Sequence, residues 1–206
     1  DLALTDRLYR IPGLFLPRPG EKVKDFLKSH EAGAHDLRRP LERDVTYLAR
    51  LEGDISLPWE VYGYVNPKST TGRTDTHVRL IADGVPRFDQ LTPAGWKGEH
   101  WLLITPKSFP IKVTPGLALA QLRLFNADTR LNQLDIQLAM AEHHLLWSRN
   151  GEEITFADHS PNIVSGSIHL TMDLSSDPVG WECLRPNEIF DFSVASGTLD
   201  FNDFFR

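Results

Sequence analysis

The stretch that decides the reading runs from Tyr64 to Arg73, Y-V-N-P-K-S-T-T-G-R. An apolar run, Val61 to Val65, leads directly into it, and six residues from Lys68 to Arg73 then hold two cations, three hydroxyls and a glycine. Pro67 restricts the residue before it to extended geometry, so no helix begins upstream of the proline. Gly72 gives the backbone freedom to turn back or to approach a ligand. The expectation is a strand entering a polar loop, with Ser69, Thr70 and Thr71 free to donate. Lys68 and Arg73 can balance several negative charges, and an arginine fork can hold two phosphate oxygens at once. The chemistry is that of an anion site, most economically a polyphosphate site. It is not a Walker loop, because G-x-x-x-x-G-K-[ST] does not occur.

Outward from this stretch the chain is a series of short β-type runs. V-T-Y-L-A-R-L (45–51) and V-Y-G-Y-V (61–65) precede it, and T-H-V-R-L-I-A (76–82) follows with clean alternation. That alternation sets Val78 and Leu80 on one face and His77 and Arg79 on the other. W-L-L-I-T (101–105), F-P-I-K-V (109–113) and L-A-L-A-Q-L-R-L-F (117–125) come next, and their even spacing predicts an antiparallel sandwich or barrel. Residues 17–44 read as a surface insertion, with Val23, Phe26 and Leu27 as a short helical face. One amphipathic helix is predicted over about 128–147, capped by Asp128 and carrying Leu131, Leu134, Leu138 and Leu145 at helical spacing. Strands are predicted again at 154–156, 167–174, 180–184 and 189–192, with Ile168, Leu170, Met172 and Leu174 as a buried face. The Phe-rich tail, residues 199–206, reads as a docking segment in search of a surface.

Length and composition narrow the function classes. The 206 residues suffice for one barrel domain with elaborations. A net charge of −6 leaves no global basic field, so a nucleic-acid polymer is not the expected ligand. A local cationic loop on an acidic protein suits a small anion. Cys183 is the only cysteine, which excludes an internal disulfide and a multi-cysteine zinc site. No apolar stretch approaches the roughly 20 residues of a membrane-spanning helix, and a reducing cytoplasm is the default compartment. The chain opens on Asp1, so native N-terminal residues are expected to be missing.

The ordered motifs N-P-K-S-T-T-G-R-T-D-T-H-V-R-L-I-A, R-F-D, A-G-W-K-G and P-G-L-A-L-A-Q-L together resemble the dCTP deaminase branch of the dUTPase-like superfamily. The likeness is densest from Tyr64 to Phe125 and is closest to the first module of two-module deaminases. The resemblance implies a mainly β fold, a distorted jelly-roll barrel, over residues 1–206, with room for a second module after it. It implies dCTP as substrate, dUTP as product, and a homo-oligomer, either a trimer or a pseudo-trimer of barrels with shared active sites. By the same resemblance Lys68, Ser69, Thr70 and Arg73 hold the triphosphate, with Ser69 and Arg73 also ordering the catalytic water. Lys68 stands where the family usually has an arginine, keeping the charge and losing the fork. Ala82 matches a position whose backbone meets the cytosine edge, and Arg87 and Asp89 match residues that contact the sugar region. Mg2+ is expected only as a companion of the triphosphate, bound through phosphate oxygens and water. No zinc is expected.

One departure bears on the chemistry. The family carries a glutamate in the strand after G-W-x-G, which activates water for attack on C4 of cytosine. Here that position is Leu103, and leucine accepts no proton. Losing a general base forfeits on the order of 10²–10⁴-fold in rate. Glu99 lies four residues earlier, roughly 13 Å away along a strand, and is a poor substitute. Three readings follow. The chain is a dCTP deaminase, or a nucleotide-binding module completed by a partner barrel, or a dUTPase-type pyrophosphatase in which Asp89 would activate the water.

Overall fold

The computed structural model describes residues 1–164, 166–175, 177, 179–194 and 201–206. The chain divides into two compact units, Asp1–Ala127 with Trp181–Arg206, and Asp128–Gly180. No helix among the described residues is long and apolar enough to cross a membrane.

The first unit is a nearly closed antiparallel barrel. Its strands are β1 (Leu2–Ile11), β2 (Gly33–Ala34), β3 (Thr46–Leu51), β4 (Ile55–Ser56), β5 (Tyr62–Pro67), β6 (Thr76–Ala82), β7 (Gln90–Leu91), β8 (Lys97–Gly98), β9 (His100–Pro106), β10 (Ile111–Lys112) and β11 (Ala118–Phe125). The main sheet runs β6-β9-β3-β1-β11-β5-β7, with β2 added to β1. This is the mainly β, jelly-roll-like architecture that the resemblance implies. The inner face of the sheet holds the principal core, which includes Leu4, Tyr47, Leu80, Leu102, Ile104 and Leu119.

The outer face of β3 and β9 is also covered, which explains why both read as unbroken apolar runs. Helix α1 (Val23–Ser29) lies there, burying Val23 and Leu27 against Leu48, Ile81, Trp101 and Leu103. The segment 17–44 is therefore part of the wall rather than a purely surface excursion. Burying these apolar groups is worth roughly 1.5–3 kcal/mol for each large side chain.

In the second unit the helix is shorter than the sequence implies. α3 spans Gln133–His143, and its N-cap is Asn132, whose side chain accepts from the N–H groups of Leu134 and Asp135. Asp128 instead pairs with Arg130. The buried face is Ile136 and Met140, packed with Ile163, while Leu134 and Leu138 are exposed. A helix apolar on both sides has no single stripe for periodicity to find.

The second half of the chain departs most from expectation. Residues 154–156 enter a short helix, α4 (Phe156–His159), capped by Thr155. The predicted strand at 167–174 is reduced to Ser167–Ile168, paired as a hairpin with Ile163–Val164. Leu170, Met172 and Leu174 are exposed. Residues 180–184 form only an isolated bridge, Cys183 to Phe205, and Phe190–Asp191 pairs in parallel with β10. Within the first unit the tail finds its own surface. Phe204 is buried edge-on against Phe109 at 5.3 Å, and Arg206 pairs with Glu182. Leu199 and Asp200 lie outside the described residues.

Candidate functional site

β5 ends at Pro67, Lys68 stays extended, and Ser69–Arg73 form a single helical turn, α2. The expected open loop is thus a turn of helix. Gly72 sits inside it, with open space where a Cβ would stand and without a left-handed φ. Two bonds anchor the turn to β11: Lys68 N–H and the buried Thr71 hydroxyl both donate to the Leu119 carbonyl, each at 2.9 Å. Thr71 is accordingly the structural hydroxyl of the three. Ser69, Thr70 and Arg73 are exposed and make no side-chain bond among the described residues. Lys68 Nζ meets the Asp1 carboxylate at 2.7 Å.

Beside α2 opens a cleft of about 760 Å³ on the outer face of the sheet, where α1 stops covering it. Strand register builds its floor. Leu48 on β3 opposes Leu103 on β9, and Leu103 opposes Arg79 on β6. One row further on, the hydroxyls of Thr46 and Thr105 meet at 3.0 Å. Thr46, Thr105, Arg79, Phe88 and Leu103 line the cleft, and Gly72 is the member of α2 that reaches it.

Asp89 organises the polar side of this cleft. Its φ of 60° turns the loop back, so that its carboxylate accepts from Leu80 N–H at 2.8 Å and forms an ion pair with Arg79, whose Nε lies 2.7 Å away. Burial pushes the Asp89 carboxyl above its usual range, against the opposing pull of the Leu80 N–H and Arg79. The Arg79 guanidinium lies over the Phe88 ring, 5.2 Å from its centroid.

The predicted residues are distributed unevenly around this geometry. Leu103 is buried at the cleft floor, facing opposite to Leu102 and Ile104 as strand alternation requires. Ala82 is fully buried on the inner face, away from the cleft, and its carbonyl accepts from Val85 N–H. Arg87 is exposed and has no partner among the described residues. Asp89, expected to meet a sugar, has its carboxylate engaged by Arg79 and by Leu80 N–H. Glu99 lies near Lys24 and Arg50, at 3.9 and 4.0 Å, and lines clefts on the other flank of α1. Asp75 and His77, 3.9 Å apart, stand at the rim, both more than half exposed. Among the described residues no three or more His, Cys, Asp or Glu side chains converge as a metal site would.

Sequence reasoning missed Arg79, Phe88 and the Thr46–Thr105 pair as cleft residues. Alternation already put Arg79 on the outer face, but only strand register reveals that it stands across from Leu103.

Comparison with known proteins agrees with this fold. The family model for the 2'-deoxycytidine 5'-triphosphate deaminase (DCD) N-terminal domain matches residues 1–128. A crystal structure of 2'-deoxycytidine 5'-triphosphate deaminase from Agrobacterium tumefaciens superimposes with a TM-score of 0.82 at 29% identity. The match covers 100% of this chain and 58% of that one, so the chain spans little more than half of its structural relative. No curated protein matches it significantly. With more than half of its length matched by that model, the chain belongs to the family of dCTP deaminase N-terminal domains.

Proposed function

We propose that the chain binds dCTP and serves its hydrolytic deamination, in which water adds to C4 of cytosine, the C4–N bond breaks, and dUTP and ammonia leave. The observation that carries this reading is the α2 turn. It is anchored to Leu119 by Lys68 N–H and the Thr71 hydroxyl, leaving the side chains of Ser69, Thr70 and Arg73 exposed and without a side-chain bond among the described residues, open to an anionic ligand. Lys68 joins them once phosphate displaces Asp1, and Mg2+ arrives with the triphosphate as part of the substrate. Ser69 and Arg73 would also order the attacking water, a matter of positioning and hydrogen bonding to the developing C4 adduct.

A second reading, favoured by Leu103, is that this barrel supplies binding groups and a partner barrel supplies the base. Position 103 offers no proton acceptor, and the side chains of Ser69, Thr70 and Arg73 do not line the cleft that holds it. Half-sites separated in this way suit completion by a second barrel, in a trimer or pseudo-trimer. The pyrophosphatase reading gains nothing, because the Asp89 carboxylate is occupied by Arg79 and Leu80.

The test is calorimetry and ammonia release on the full-length protein. Arg73→Ala is expected to weaken dCTP binding by about 1.5–3 kcal/mol, the range for a lost charged hydrogen bond. Wild-type affinity in that variant would remove α2 from the site. Release of ammonia by isolated barrels, with no partner barrel present, would overturn the partner-completed reading.

A further inference from the structure

The relation between Arg79 and Leu103 carries an inference that rests on the dCTP reading and deepens it. Arg79 Nε is taken by Asp89, and the guanidinium plane is set over Phe88. Neither Nη group donates a hydrogen bond among the described residues, and the side chain is 53% exposed at the cleft. A fork is therefore fixed at its root and open at its tip, directly across from Leu103.

We infer that Arg79 is the residue that distinguishes cytosine from uracil in this cleft, its two Nη groups donating to N3 and O2 of the base. The chemistry is that of the Watson–Crick edge. Guanine meets cytosine with two N–H donors belonging to a guanidine fragment, and an arginine fork presents the same donor pair at the same spacing. Cytosine offers acceptors at both N3 and O2. Uracil carries a hydrogen on N3, so one Nη–H would face another donor and the product is bound less well. Asp89 already balances the charge of Arg79, which leaves donor geometry rather than net charge to select the ligand. That favours a neutral acceptor edge over a phosphate. The apolar Leu103 and the Phe88 ring beside it suit the face of a pyrimidine, and the cleft volume falls in the range of small-molecule sites.

Three probes test this on the full-length protein by equilibrium binding, before measurable turnover: dCTP, dUTP and inorganic tripolyphosphate. Arg79→Gln is expected to weaken dCTP by about tenfold or more, the scale of one bidentate arginine–base pair. dUTP and tripolyphosphate should change little. Arg79→Lys keeps the cation and its pairing with Asp89 but loses the fork, and it too should lose the preference for dCTP over dUTP. That second variant guards against a folding defect, since its ion pair survives. An unchanged dCTP-to-dUTP ratio in both variants overturns the inference while leaving the nucleotide reading intact. Equal weakening of all three probes also overturns it, by assigning Arg79 to phosphate. Failure of the wild-type protein to bind any probe sinks the nucleotide reading and this inference together.

Discussion

Leu103 and Arg79 face each other across β9 and β6, and this contact changes what a restored glutamate would do. Directly opposed residues on antiparallel strands have Cβ atoms about 4.5–5.5 Å apart, within reach of an ion pair. In Leu103→Glu the new carboxylate would compete with Asp89 for the guanidinium, and its lone pairs would be engaged rather than free to take a proton from water. It would also replace a buried leucine packed against Leu48, Ile81 and Trp101. The expected outcome is no gain in ammonia release over the wild-type protein and a lower unfolding midpoint. A clear rise in ammonia release would mean that Glu at 103 meets the nucleotide free of Arg79. The leucine at position 103 and its place on the cleft face were legible in the sequence by counting from Gly98, because position along a strand is a local property. The role of Asp89 was not. It depends on a left-handed φ and on bonds to Leu80, which a single sequence does not display.

At the scale of elements, local pattern served well wherever each apolar face of a strand meets a core. β3, β5, β6, β9 and β11 lie within a residue or two of the runs that predict them. α2 and α3 were misjudged for different reasons. α2 is fixed by a tertiary bond, Thr71 to Leu119, that no window of sequence contains. α3 has apolar residues on both sides, so the leucines with the best spacing are those left outside. The predicted strand at 167–174 failed similarly: alternation marks a face only when something packs against it. The α2 geometry makes a paired prediction. Thr71→Val removes one of the two donors to the Leu119 carbonyl and is expected to cost about 0.5–1.5 kcal/mol by chemical denaturation, with weaker tripolyphosphate binding. Gly72→Ala, in helical geometry with open space, should be neutral or stabilising by up to about 1 kcal/mol. If Gly72→Ala abolishes nucleotide binding, the backbone itself approaches the ligand.

At the scale of the whole molecule, acid stability turns on His100. It is 1% exposed, its Nδ1 has no partner among the described residues, and burial, followed by nearby Arg50, pushes its pKa down to about 4. An unfolded histidine titrates near 6.5, so between these values the unfolded chain binds the extra proton. Stability is therefore intact above about pH 6.5, falls as the pH drops, and levels off near pH 4 after a loss of about 3 kcal/mol. Urea titrations at pH 7 and pH 5 should differ by about 2 kcal/mol more in the wild-type protein than in His100→Leu. Equal pH dependence in the two would show that His100 is solvated.

The sheet order also dictates when this protein can fold. Among the strands described, β1 is made before β11, yet Leu2 and Ala3 pair with Ala120 and Ala118, more than a hundred positions later. Until β11 emerges, that end of β1 has no partner, and Leu2 and Leu4 have no closed barrel to enter. Pairings this distant in sequence are slow to form, and they keep apolar strands open to chaperones and to one another. The barrel can close only once β11 has been made.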